Sequence, residues 1–213
     1  LLKALLLAGV PLEGDMGRGA LCAAIWRGDM HIINMLLDAK AHINTSDADA
    51  RSPLRVAAEK GRMDILNILL DAGAVQNYPS SVEEPAFMVA LKKGHNDIAK
   101  LLLLRFPASV NMPDREGLTP LAWAVDKKQV ETAQMLIDAG AKLYPERLTK
   151  LQFDILNTAV DRDSIELVNM LLAAKADPNL YASDKSSALI NASIRGNVQI
   201  VKELLSARAD TEI

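Results

Sequence analysis

A repeat of 33 to 35 residues, running through nearly the whole chain, limits what this sequence can fold into more than any other feature. A fixed period of that size decides the architecture before any local motif is weighed. PLRVAAEKGRMDILNILLDAGA (Pro53 to Ala74) and TPLAWAVDKKQVETAQMLIDAGA (Thr119 to Ala141) share one layout, and four other segments follow it less closely. Their first core positions are Leu21, Leu54, Phe87, Leu121, Leu156 and Leu189, at intervals of 33, 33, 34, 35 and 33. A second set, Leu36, Leu69, Leu102, Leu136, Leu171 and Leu204, keeps those intervals, each 15 residues after its partner, and Leu5 extends it backwards by 31.

The spacing inside each unit predicts two short helices. The first carries apolar residues at i, i+3 and i+4, as in Leu54, Ala57, Ala58 or Leu121, Ala124, Val125, and its small alanines let neighbours approach closely. The second is marked by Ile65, Leu66, Ile68, Leu69 and Leu70 and should end at Ala72-Gly73, where glycine takes the left-handed conformation that stops a helix. A polar loop then leads to the next Pro-Leu, the proline occupying a first turn whose N–H would be unpaired anyway. A unit this small cannot bury its own apolar face, so only stacking gives a continuous core. The expectation is a single all-α domain over residues 1–213. It would comprise a partial unit at 1–13 and units at about 14–46, 47–79, 80–113, 114–148, 149–181 and 182–213.

This layout resembles the ankyrin repeat, whose signature begins T-P-L-H-x-A. Thr119-Pro120-Leu121 matches its start, and Ala24, Ala57, Ala90, Ala124, Ala159 and Ala192 match its alanine. Asp114 with Gly117 matches the family's hairpin loop, and Asn44, Asn77, Asn111 and Asn179 its loop asparagine. The resemblance implies an ankyrin-repeat solenoid of stacked helix-turn-helix units with hairpin-like loops. The signature histidine, which in the family ties loop to helix, is absent from every unit: Cys22, Arg55, Met88, Ala122, Asn157 and Ile190 replace it. Loops should therefore be less firmly anchored. Lys128 and Asp163 stand where other units have Gly28, Gly61, Gly94 and Gly196, and the 144–153 loop carries an extra residue, so the fourth and fifth units are expected to deviate locally.

Reactive clusters are missing from the sequence. His31, His42 and His95 have no cysteine, carboxylate or second histidine at metal-ligand spacing, and His95 sits at a helix start. Cys22, the single cysteine, has no neighbouring histidine, reads as a small buried side chain, and suits a reducing compartment such as cytosol or nucleus. No phosphate-binding loop, dinucleotide turn or nucleophile elbow occurs. Neither catalysis nor a cofactor or metal is expected. A pI near 5.7 without a basic run argues against nucleic acid, and the longest apolar stretches fall far short of the roughly 20 residues a membrane helix needs. The opening LLKALLLAGV resembles a signal-peptide core, but its recurrence deeper in the chain makes a truncated repeat the plainer reading. The chain starts inside a second helix without methionine, and neither end has a polar cap, so a longer array is expected.

What remains is recognition of a protein or peptide, which the resemblance places on the concave face made by first helices and loop tips. Helical geometry names the residues. If Leu21, Ala24 and Ile25 point inward, Ala23, Trp26 and Arg27 form another stripe. Its equivalents are Val56, Glu59, Lys60; Val89, Lys92, Lys93; Trp123, Asp126, Lys127; Thr158, Asp161, Arg162; and Asn191, Ile194, Arg195. The last member is basic in all six, both tryptophans lie on the stripe, and its net charge of +4 contrasts with −3 for the whole chain. Two readings of the basic ladder stay open: solvation of helix ends with a favourable dipole interaction, or steering of an acidic segment towards Trp123 as central anchor. The candidate partner-binding residues are Trp26, Arg27, Lys60, Lys92, Lys93, Trp123, Lys127, Arg162 and Arg195, on an array expected to be monomeric. The competing view is an architectural region of a larger enzyme, channel or scaffold.

Overall fold

The computed structural model describes residues 15–44, 46, 51–76, 84–144, 154–181 and 186–211. Leu5, the partial unit at 1–13, Asn77 and the 145–153 part of the long loop lie outside them. The described residues form twelve α-helices: α1 (Asp15–Arg27), α2 (Met30–Asp38), α3 (Pro53–Lys60), α4 (Met63–Asp71), α5 (Ala86–Lys92), α6 (Asn96–Arg105), α7 (Pro120–Asp126), α8 (Val130–Asp138), α9 (Ile155–Asp161), α10 (Ile165–Ala173), α11 (Ala188–Arg195) and α12 (Val198–Ser206). A 3-10 turn, Pro107–Asn111, follows α6, and the only bridge of β type among the described residues joins Tyr181 to Ser187. The chain gathers into two compact units, Leu1–Ser109 and Val110–Ile213.

Within the first unit α1, α3 and α5 pack side by side, each against its own second helix α2, α4 or α6. The second unit repeats this with α7, α9 and α11, and here the second helices α8, α10 and α12 are also seen in mutual contact. The leucines of the second set that fall in described residues, Leu36 through Leu204, are all fully buried. The first set is equally buried from Leu21 to Leu156. Leu189 is half-buried, because no later first helix among the described residues packs on α11.

The first helices start where the sequence supplies a cap. Ser52, Thr119 and Ser187 each accept a hydrogen bond from the backbone N–H three residues on, at 3.3, 3.2 and 3.3 Å, and Pro53 and Pro120 follow two of them. Such caps contribute about 1 kcal/mol each. The missing signature histidine is compensated in several ways. The Cys22 thiol donates to the Arg51 carbonyl at 3.3 Å, and buried Asp154 accepts from Leu156 N–H and from Asn157 Nδ2. Between repeats the loop asparagines do the tying. Asn44 Oδ1 accepts from Val75 N–H, Asn111 Oδ1 from Lys142 N–H and Asn179 Oδ1 from Asp210 N–H, at 2.9, 2.7 and 2.7 Å. The Tyr144 hydroxyl takes the equivalent N–H of Asp177 at 2.9 Å. These loops are thus anchored to the next repeat as well as to their own helices. Around Asp114 the hairpin is formed as expected, with Asp114 N–H donating to Leu118 O and Gly117 at φ +87.

Lys128 and Asp163 do not make their repeats deviate at the helix ends. Both adopt the left-handed conformation of the glycines they replace, at φ 55 and 52, held by Lys128 Nζ donating to Asp163 O and Asn197 Nδ2 donating to Asp163 Oδ1. Lys40, Lys175 and Arg208 do the same after second helices, where Gly73 and Gly140 stand elsewhere. A left-handed non-glycine residue costs roughly 1–2 kcal/mol, while glycine loosens the unfolded chain by about 0.4–1 kcal/mol. Lys40→Gly should therefore raise stability by about 0.5–1 kcal/mol in a urea melt, Lys40 being exposed.

Candidate interaction surface

The stripe on the first helices is only partly a surface. Val56 and Val89 are buried, as core residues between adjacent first helices. That corrects their placement on an outward stripe: in a close stack the i+2 position of a first helix meets its neighbour. Trp123 is half-buried, and Lys92 is half-buried too, reaching Glu84 at 2.6 Å. Trp26, Arg27, Lys60, Lys93, Lys127, Arg162 and Arg195 are exposed.

The basic residues are tied back one repeat. Arg162 Nη2 donates to Asp126 Oδ1, and Arg195 Nη2 donates to Asp161 Oδ1 at 3.2 Å. Lys127 also pairs with Asp126, at 2.9 Å. The two guanidinium and ammonium partners, Arg162 first, hold the Asp126 carboxyl below the usual carboxylate range. In the first unit the middle stripe position of repeat one is Trp26 instead of an acid, and Lys60 Nζ lies 3.1 Å from the centre of its ring. The Arg51 guanidinium stands 5.4 Å from the same centre. Reading the stripe alone missed these partners, although the signal was present: the middle position 34 to 36 residues before each of Lys60, Arg162 and Arg195 holds an acid or an aromatic ring. As a result the ladder's positive charge is uneven. The stripe of the first unit has four basic residues and one acidic, that of the second three basic and two acidic.

His95 is the residue at the start of α6, but its side chain makes no cap. Its Nε2 lies 3.3 Å from the Glu59 carbonyl, which sets the imidazole against Gly61 of the preceding repeat. Arg62 forks onto Asp64 with hydrogen bonds of 2.9 and 2.7 Å, and that guanidinium lowers the Asp64 carboxyl to about 2. An unfolded aspartate titrates near 3.9, so this depressed group adds stability above about pH 4 and loses it as the pH falls towards 2. With its side chain 54 % exposed, solvent limits the contribution to under about 1 kcal/mol. Asp64→Asn should lower stability by up to about 1 kcal/mol at neutral pH and change it little near pH 2, so that the acid slope of the profile flattens, measured by urea melts between neutral and low pH.

Between α1 and α3 an open pocket of about 550 Å³ is lined by Gly19, Cys22, Ala23, Trp26, Arg27, Arg51 and Val56. Among the described residues no group of three or more His, Cys, Asp or Glu side chains is placed to hold a metal ion, and no helix is long and apolar enough to cross a membrane.

The family model for ankyrin repeats (3 copies) matches residues 1–80 and again 75–146. The chain belongs to the ankyrin-repeat family. Its all-α fold is the ankyrin fold: an ankyrin repeat domain from Acinetobacter baumannii AYE superimposes with a TM-score of 0.79 at 28% identity, over 90% of this chain and 99% of that one. The ankyrin repeat domain of Bcl-3, described as a unique member of the IkappaB protein family, gives 0.76 at 25% identity, over 90% and 87%. In sequence the chain is 34% identical over 110 residues to YahD of Escherichia coli (strain K12), described as an ankyrin repeat protein. That match spans 52% of each chain, so this ankyrin chain covers about half the length of that relative. Ankyrin repeat domains are general protein-protein interaction modules.

Proposed function

We propose that this ankyrin chain is a non-catalytic module that binds a protein or peptide partner on the first-helix side of its repeats, in an intracellular setting. The observation that carries the reading is the surviving surface there. Each unit presents one tryptophan with basic residues beside it: Trp26 with Arg27 and Lys60, Trp123 with Lys127 and Arg162. Tryptophan and arginine are the residue types richest in interface hot spots. Lys92, Lys93 and Arg195 complete the candidate set, with the paired members fixed in direction by their acids rather than free to reach outwards. The ankyrin relatives support the same reading, since theirs is an interaction fold.

The test is capture of partners on immobilised protein, followed by mass spectrometry, with surface variants as controls. A partner lost with Trp26→Ala or Trp123→Ala, yet retained with Asn67→Ala and Gln134→Ala on the outer second helices, is the expected result. Loss caused only by the outer variants means that recognition is convex. No retained partner at all favours a purely architectural role in a larger protein.

A further inference from the structure

The two tryptophans stand in unequal surroundings, and that inequality points to one place and one partner chemistry. Trp123 is half-buried, and the basic residues after it are engaged by Asp126 and Asp161. Trp26 is 45 % exposed and has cations over its ring where the later repeats have carboxylates. Arg27 and Lys60 make no ion pair among the described residues. Arg27 lines the 550 Å³ pocket together with Trp26 and Arg51, and the rest of its wall is small or apolar: Gly19, Cys22, Ala23 and Val56; the Lys60 ammonium stands over the ring of Trp26. No carboxylate is among the pocket's described lining residues.

We infer that this pocket is the docking point for an acidic, apolar segment of a partner protein, seated on the first unit. The inference rests on the interaction reading above and names the site and chemistry within it. An apolar side chain fills the space against Ala23 and Val56, while the segment's carboxylates meet Arg27 and the ammonium of Lys60 over the face of the indole. A pocket of this volume suits a few residues of an inserted segment. Charge complementarity of this kind acts mainly on association rate and specificity. A nucleic-acid strand fits less well. Stacking a base needs an open aromatic face, the Trp26 ring already carries Lys60 and Arg51, and the chain's net charge is −3.

The experiment is selection from a random-peptide phage library on the immobilised protein, followed by affinity measurements on the best synthetic peptide and on its copy with every Asp and Glu changed to Asn and Gln. Selected sequences should be rich in acidic residues with at least one large apolar one. Trp26→Ala should weaken the best peptide by about 30-fold or more. Arg27→Glu, which leaves the indole in place, should weaken it by about 10-fold at low salt, a loss that shrinks as salt rises. The neutralised copy should behave like the charge-reversed protein. Circular dichroism matching the unmodified chain shows that each variant folds, as expected for exposed positions. Peptides without acidic enrichment, binding that survives Trp26→Ala and Arg27→Glu but fails with Trp123→Ala, or displacement of the selected peptide by poly(dT) would each overturn this inference and leave the broader one standing. A selection that returns no binder at all overturns both.

Discussion

Leu69→Ala and Leu136→Ala should each destabilise the chain by about 2–5 kcal/mol in denaturant melts, the range for emptying a fully buried leucine site. Both side chains are completely shielded and sit in the last turns of α4 and α8, where neighbouring helices hold the walls and prevent collapse into the cavity. Surface members of the same repeats give the contrast. Lys93→Ala should change stability by less than about 0.5 kcal/mol, and Lys60→Ala by no more than about 1 kcal/mol, the worth of an exposed cation over an aromatic ring. Equal losses at core and surface would mean that the facing of the helices is misassigned.

Gly61→Ala should cost roughly 2 kcal/mol or more, about twice the cost of Gly196→Ala. Both glycines end a first helix in the left-handed region, at φ +68 and +71, so both substitutions incur the roughly 1–2 kcal/mol of that strain. Only at Gly61 is there also a collision: a Cβ there would lie 2.6 Å from His95 Cε1, whereas nothing lies within 4 Å at Gly196. The imidazole cannot simply swing away without giving up its contact with the Glu59 carbonyl. In a His95→Ala background the extra cost at Gly61 should disappear, which a double-mutant cycle measures. If it persists, the histidine is not what fills the space above that glycine.

Nearly all of the fold was legible in the sequence, because it depends on features local to one repeat. The two leucine sets, the Ser-Pro and Thr-Pro starts and the Ala-Gly stops each act within about one helix, and each appears where its residues said. What the sequence concealed depends on residues one repeat away. Arg162 and Arg195 look like free positive charge until Asp126 and Asp161 are set beside them. Val56 looks like a surface residue until the close approach of the flanking first helices covers it. His95 looks like a helix cap until its ring is found against another repeat's backbone. Lys128 and Asp163 looked like breaks in the pattern because propensity disfavours them in the left-handed region, yet contacts to the adjacent repeat hold them in it. The candidate site followed the same rule. Its residue types were readable, but the imbalance between Trp26 and Trp123 was not.

The asparagine and tyrosine ties between loops have a mechanical consequence. Each joins points 31 or 33 residues apart, so the ties among the described residues close short spans rather than brace the chain from end to end. Pulled by its two ends, a chain tied in this way shares the force among those spans. It should yield in a sawtooth, each tooth releasing one span of about 33 residues, or roughly 110–120 Å of extended backbone.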